Sequence, residues 1–302
     1  MSSYEFHTVD VFTENRFGGN PLAVFPNATG LSEARMQDLA REFNLSETTF
    51  VFPPVDPAHT ARVRIFTPGT EVPFAGHPNV GTAYVLASLE AKQTKSMIFE
   101  EKAGLVAIEV QSGPDGRVAG ARIAAPQSLI LGQEVPADAV AACAGLNAAD
   151  VRSEIHSPIF AGVGMGFVIA ELTSRDALAR AKPDLAAFRD AAHRFPKIGN
   201  RFQVHLYFRN RSDPCRLATR MFAPLLGVLE DPATGSANAA LAALLVHLTV
   251  AQSGELSFDI EQGAEMGRPS RLRATAQKSA DGSVRSTVAG SCVPVMRGQA
   301  EV

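Results

Sequence analysis

Two stretches of this chain gather the residue types that hold anions and move protons. The first, Phe74-Ala75-Gly76-His77-Pro78-Asn79-Val80-Gly81-Thr82-Ala83, sets an imidazole among small residues. The second, Glu230-Asp231-Pro232-Ala233-Thr234-Gly235-Ser236-Ala237-Asn238-Ala239, sets a carboxylate and a hydroxyl in the same surroundings. Each follows a common signature, Arg64-Ile65-Phe66-Thr67-Pro68 or Arg220-Met221-Phe222-Ala223-Pro224, whose Arg, Phe and Pro positions stand 156 residues apart (64 to 220). That spacing is far longer than the period of a solenoid repeat. Each copy reads as a short apolar strand ending at Pro, a Gly-rich turn, and then an Ala/Leu-rich helix. A helix N-terminus with small residues at its mouth is an anion site, because unpaired backbone N–H groups and the helix dipole both favour negative charge. Two such mouths facing each other would hold a carboxylate-bearing small molecule in a cleft, which points to an enzyme.

Glu47 is a further candidate. Lying between Ser46 and Thr48, past a helix end and before an apolar strand, it reads either as a solvated loop carboxylate or as a proton carrier whose pKa apolar walls would raise. His77 has two readings as well: a helix-start residue bonded to backbone, or an imidazole able to bond substrate or share a proton. Asp231 before Pro and Ser236 at a helix start have the chemistry of turn and helix caps, and a cap at a cleft can also touch a ligand. Gly18-Gly19-Asn20-Pro21 is a tight turn. Cys143 and Cys215 read as structural, since nothing around them would lower a thiol pKa.

The elements that must position these groups follow from local pattern. Strands are expected at 4–12, 22–25, 48–52, 61–66, 96–101, 105–110 and 116–123 in the first half, with Ser32 capping a helix that runs to Phe43 and a second helix over 80–90. The Pro-bearing stretch 126–136 reads as the crossing into a second half, with helices over 137–144, 176–180 and 236–248 and strands at 166–172, 203–208, 256–262 and 271–276. The two helices after the Gly-rich runs are small and apolar nearly all round, so both belong in the interior. The fold class expected is α+β, in two pseudo-symmetric domains, each a curved, mostly antiparallel, barrel-like sheet around a central helix. Regular βαβ alternation is absent, against a Rossmann or TIM architecture.

Composition agrees. The 302 residues suit two domains, and 46% hydrophobic with 20% charged residues fills a core without inviting disorder. A net charge of −3 without a basic run argues against nucleic acid or an anionic membrane as partner. The apolar run 239–250 is too short to span a bilayer, the start lacks signal-peptide regions, and three scattered cysteines make neither a disulfide framework nor a zinc pattern. A cytoplasmic protein is expected.

The strings FGGNPLAVF, NLSETTFV, FTPGTEVPFAGHPNVGTA and RMFAPLLGVLEDPATGSANAALAALL resemble, in order, those of the PhzF-like (phenazine biosynthesis-like) isomerase family. The resemblance implies the diaminopimelate epimerase-like fold, with one domain over 1–125 plus about 285–302, another over 126–284, and the site in the cleft between them. It implies an isomerase that shifts a proton within a small carboxylate-bearing molecule, with no metal or organic cofactor, working as a homodimer. Glu47 falls on the family's general acid/base, His77 and Asp231 on its polar partners, and Asn20, Gly76, Gly235 and Ser236 on substrate-contacting positions. The related racemases carry a cysteine at each helix mouth. His77 and Ser236 occupy these mouths here, which disfavours a two-thiol racemase. A divergent epimerase and a carboxylate-binding protein without turnover are the competing readings.

Overall fold

The computed structural model describes residues 2–90 and 94–302. The chain divides into two compact units, Met1–Pro126 with Val288–Val302, and Gln127–Thr287.

The first unit contains β1 (Ser3–Val11), β2 (Asn20–Phe25), α1 (Glu33–Phe43), β3 (Glu47–Phe52), β4 (Ala61–Phe66), β5 (Glu71–Val72), α2 (Gly76–Leu89), β6 (Ser96–Glu101), β7 (Gly104–Ser112) and β8 (Val118–Ala124). Neighbours β1–β2, β3–β4, β6–β7 and β7–β8 pair antiparallel, whereas β2–β3 and β4–β6 pair parallel. Ser32 caps α1 by accepting from the Arg35 amide, and Asn44 ends it in the left-handed conformation. Below α1 lies an aromatic cluster in which Phe25 stacks on Phe50 at 4.9 Å and Phe50 meets Phe66 edge-on at 5.5 Å.

The helix α2 is buried along nearly its whole length, as its all-round apolar sequence requires. Its packing against the sheet depends on Gly81: a Cβ there would come within 2.6 Å of Leu22 Cδ2 and 2.8 Å of Val11 Cγ2. The helix begins at Gly76, four residues before the expected start at Val80. Pro78 is accommodated because it stands in the first turn, where its missing N–H would have had no partner in the helix.

The second unit contains β9 (Ile130–Glu134), α3 (Ala137–Cys143), β10 (Val151–Arg152), β11 (Ile159–Gly162), β12 (Gly166–Leu172), α4 (Arg175–Arg180), α5 (Leu185–Arg194), β13 (Val204–Arg209), β14 (Arg216–Ala223), β15 (Val228–Asp231), α6 (Gly235–His247), β16 (Gly254–Gln262) and β17 (Ser270–Lys278). Here β12–β13 and β14–β16 are the parallel pairs. The helix α6 is buried except at its ends, and α3, α4 and α5 cover an apolar layer that includes Phe188 and Phe202. The sequence reading missed α5, whose start is marked by Asp184 accepting from the amides of Ala186 and Ala187. A final strand, β18 (Val284–Glu301), pairs antiparallel with β1 and absorbs Pro294 at a register shift opposite Val9, where a missing N–H breaks no regular ladder bond.

The repeat is physical as well as textual. Arg64 grips Glu71 with two bonds (Nε 2.8 Å, Nη2 2.5 Å) and lies 5.2 Å from the Phe66 ring centroid. Arg220 grips Glu230 likewise (2.7 and 2.8 Å) and lies 5.0 Å from Phe222. Buried Asn79 and Asn238 each donate from Nδ2 to the carbonyl four residues back, at 3.0 Å to Ala75 and 3.1 Å to Thr234.

Candidate active site

In the first unit three sequence-selected side chains converge. Asn20 opens β2 after a turn in which Phe17 and Gly19 have φ of 70° and 62°. A Cβ at Gly19 would lie 2.3 Å from Val11 O, so only glycine allows the close approach that turns the Asn20 side chain inward. Glu47 opens β3 opposite Leu22 of β2, and His77 is the second residue of α2. The loop-carboxylate reading of Glu47 is thus corrected: sheet pairing begins at Glu47 itself, and its side chain is only 19% exposed.

Asn20 Nδ2 lies 3.2 Å from His77 Nδ1, and His77 Nε2 lies 3.4 Å from Glu47 Oε2. Burial pushes the His77 pKa down to about 3, so its imidazole is neutral at ordinary pH. A neutral ring that accepts from the Asn20 amide at Nδ1 carries its proton on Nε2, the atom nearest Glu47 but not in hydrogen-bond geometry with its Oε2. The chain Asn20–His77–Glu47 therefore runs from a fully buried amide to a carboxylate at the partly exposed end. Such a carboxylate can take up and return a proton beside the neutral imidazole.

Gly76 is the first residue of α2, and its N-cap position, Ala75, has no side-chain cap. Gly235 is likewise the first residue of α6, whose N-cap Thr234 also lacks a side-chain cap bond. Asp231 ends β15, buried, and accepts from the Thr234 hydroxyl at 2.5 Å, while Ser236 lies inside the first turn of α6. The selected residues thus form two groups: Asn20, Glu47, Gly76 and His77 in the first unit, and Asp231, Gly235 and Ser236 in the second. Sequence reasoning overlooked Gln262, which ties Asp231 and Thr234 to Asn238. A lone Gln at a strand end carries no pattern that would reveal this. Among the described residues no cluster of three or more His, Cys, Asp or Glu is placed to hold a metal ion, and no helix is long and apolar enough to cross a membrane.

Residues 9–298 match the family described as phenazine biosynthesis-like protein (PhzC-PhzF). The chain belongs to the PhzF family. It is 36% identical over 302 residues, 99% of both chains, to an uncharacterized isomerase of Mesorhizobium japonicum. It is 35% identical, over 98% of both chains, to the trans-2,3-dihydro-3-hydroxyanthranilate isomerase of Pseudomonas chlororaphis. Among solved structures, a PhzF-family protein of Bacillus anthracis is similar over 100% of both chains with a TM-score of 0.86 and 25% identity. A hydroxyproline epimerase of Agrobacterium vitis, at 14% identity and a TM-score of 0.65 over 99% of this chain and 91% of its own, shares the fold. This PhzF-family member is an isomerase, and the expected α+β, epimerase-like fold is the one observed.

Proposed function

We propose that this isomerase moves a proton within a small carboxylate-bearing substrate, with Glu47 as the single general acid/base. The observation that carries the reading is the Asn20–His77–Glu47 chain, in which the one ionisable group with solvent access is backed by a neutral imidazole. Glu47 takes a proton from one carbon, the conjugated electrons shift, and the same carboxyl returns the proton to another carbon on the same face. The enzyme ends in its starting state and needs no second base. The polar Nε2–H of His77, 3.4 Å from Glu47 Oε2, favours the carboxylate form through space. The uncapped first turn of α2 at Gly76 offers backbone N–H groups to a substrate carboxylate, Asn20 holds the imidazole, and Asp231, Gly235 and Ser236 are the further candidate substrate contacts.

A two-thiol racemase is disfavoured by the thiols themselves. Cys143 and Cys292 are buried, and burial pushes the pKa of Cys143 to about 12 and that of Cys292 up as well, so neither is a ready thiolate.

A direct assay offers trans-2,3-dihydro-3-hydroxyanthranilate, proline and diaminopimelate to the wild type and to Glu47→Gln, Asp231→Asn and Ser236→Ala. Isomerisation of the cyclic diene by the wild type, lost in Glu47→Gln and weakened in the other two, is expected. Racemisation of an ordinary amino acid, or full activity in Glu47→Gln, contradicts the proposal.

A further inference from the structure

At two places a strand end meets the first turn of a buried helix, and the two differ in one functional group. Gln262, the last residue of β16, is 2% exposed. Its Oε1 accepts from Asn238 Nδ2 at 2.8 Å and from the Thr234 amide at 3.1 Å, and its Nε2 donates to Asp231 O at 2.8 Å and Thr234 Oγ1 at 3.1 Å. The last residue of β6 is Glu101. The parallel ladder β4–β6 runs Ala61↔Phe99 and Arg62↔Glu100, so the next step brings Glu101 beside Val63. The corresponding ladder β14–β16 ends at Thr219↔Gln262, and Val63 and Thr219 are related by the same 156-residue repeat as the two arginines. By register Glu101 therefore occupies the position beside Asn79 and α2 that Gln262 occupies beside Asn238 and α6, without the hydrogen bond that Gln262 makes.

The chemistry at the two places is not equivalent for a charged Glu101. Both of its carboxyl oxygens are buried and lack a hydrogen-bond partner among the described residues, and so does Asn79 Oδ1. The Asn79 amide nitrogen donates one hydrogen to Ala75 O and has a second for Glu101, as Asn238 Nδ2 serves both Thr234 O and Gln262 Oε1, but its Oδ1 needs a donor. An ionised carboxylate offers acceptors only and leaves Asn79 Oδ1 unsatisfied, whereas a protonated one offers both an O–H donor and an acceptor, as a glutamine does.

We propose that Glu101 is kept as a neutral carboxylic acid whose proton is donated to Asn79, making it the positioning residue that holds the first turn of α2, with Gly76 and His77, in place. The functional consequence rests on the reading of that turn as part of the active site; the protonation does not.

The charged groups around it are engaged elsewhere. On the same strand Glu100 accepts from the amides of Val55 and Asp56 and meets His59, and the adjoining Lys102 pairs with Glu71. On β4 Arg62 lies over Phe52 and Arg64 binds Glu71 and Glu33. On β7 the partner of Glu101 is Gly104, and Glu109 pairs with Arg122 of β8. The first turn of α2 offers only neutral His77. Burial accordingly raises the Glu101 pKa to about 8, with Asn79 opposing the shift.

The test is infrared spectroscopy of the whole protein in deuterated buffer, wild type against Glu101→Gln, through a pH titration. The expected result is a neutral-acid carbonyl band that Glu101→Gln lacks and that disappears as pH rises through about 8. A group protonated when folded and ionised when unfolded loses its stabilisation as pH rises between the two pKa values. The wild-type folding equilibrium should therefore weaken relative to Glu101→Gln by about tenfold per pH unit from about 4.5 to about 8, and level off above. Glu101→Ala should lower kcat/KM by about 10- to 100-fold through misplacement of the turn, with Glu101→Gln rescuing it. Absence of the band, or a stability difference that is flat in pH, overturns the proposal. Both readouts use the glutamine variant alone and stand whether or not the alanine variant folds or any assayed substrate is turned over.

Discussion

At the level of single residues, Glu47 and His77 differ in what they can reach. The carboxylate at 19% exposure can meet a substrate, whereas the imidazole at 5% cannot easily do so. In the proposed mechanism His77 acts through Glu47, as a neutral polar group 3.4 Å from its carboxylate. His77→Ala should consequently slow turnover by about 10- to 100-fold without abolishing it, and the acid limb of the kcat/KM–pH profile should move upward as Glu47 loses this polar neighbour. Steady-state kinetics across pH checks both; an unmoved profile would mean that His77 does not bear on the proton carrier. The types of Asn20, Glu47 and His77 drew attention in the sequence, but their contact was not readable there. It depends on a parallel β2–β3 pairing and on a helix that starts four residues before its apolar pattern does.

Among the elements, the two strand–turn–helix copies show how equal signatures carry unequal loads. Arg220 is buried, binds Glu230, and donates from Nη1 to the carbonyls of Leu178, Ala179 and Ala181 at the end of α4. Arg64 makes the same carboxylate clamp but is 22% exposed on its side chain, and its second partner Glu33 is largely solvated. Removing Arg220 strands a nearly buried Glu230 and uncaps a helix end, so Arg220→Ala should cost about 3–5 kcal/mol. Arg64→Ala should cost less, because Lys102 still pairs with the buried Glu71 and Arg64 itself is partly exposed. Denaturant unfolding of the two variants measures the difference; equal losses would show that the shared signature, not its surroundings, sets the energy. The central helices were legible because an apolar sequence with no polar face leaves no choice but burial. The helix α5 and the 18-residue β18 were not, since their alternation is blurred by polar and small residues whose placement is set by neighbouring strands.

For the whole molecule, two buried neutral histidines set the response to acid. Burial pushes His77 to about 3 and His205, bonded to Asn238, to about 4. Both lie below the ordinary 6.5, so the unfolded chain binds protons that the folded chain refuses. The histidines' share of the stability is complete above about 6.5 and falls as pH drops toward 4, by about 1.4 kcal/mol per pH unit for each histidine. Thermal unfolding of the wild type and His205→Gln between neutral pH and pH ~4 should show a shallower loss in the variant; parallel curves would mean that His205 is not desolvated. The repeat that organises the chain was plain in the sequence because Arg, Phe and Pro recur at one spacing. The chemical difference between its halves, Glu101 against Gln262, was hidden because only the ladder register reveals that these two residues correspond.

The central claim is that one carboxyl, Glu47, carries the proton. The measurement that tests it most directly is proton NMR of trans-2,3-dihydro-3-hydroxyanthranilate turned over in deuterated buffer by the wild type and by Glu47→Gln. Isomerised product with deuterium from solvent at no more than the one carbon that receives the proton, and no reaction in a folded Glu47→Gln protein, is the predicted result. Turnover that persists in the glutamine variant, or exchange at the α-carbon of an amino acid in its place, would contradict the account.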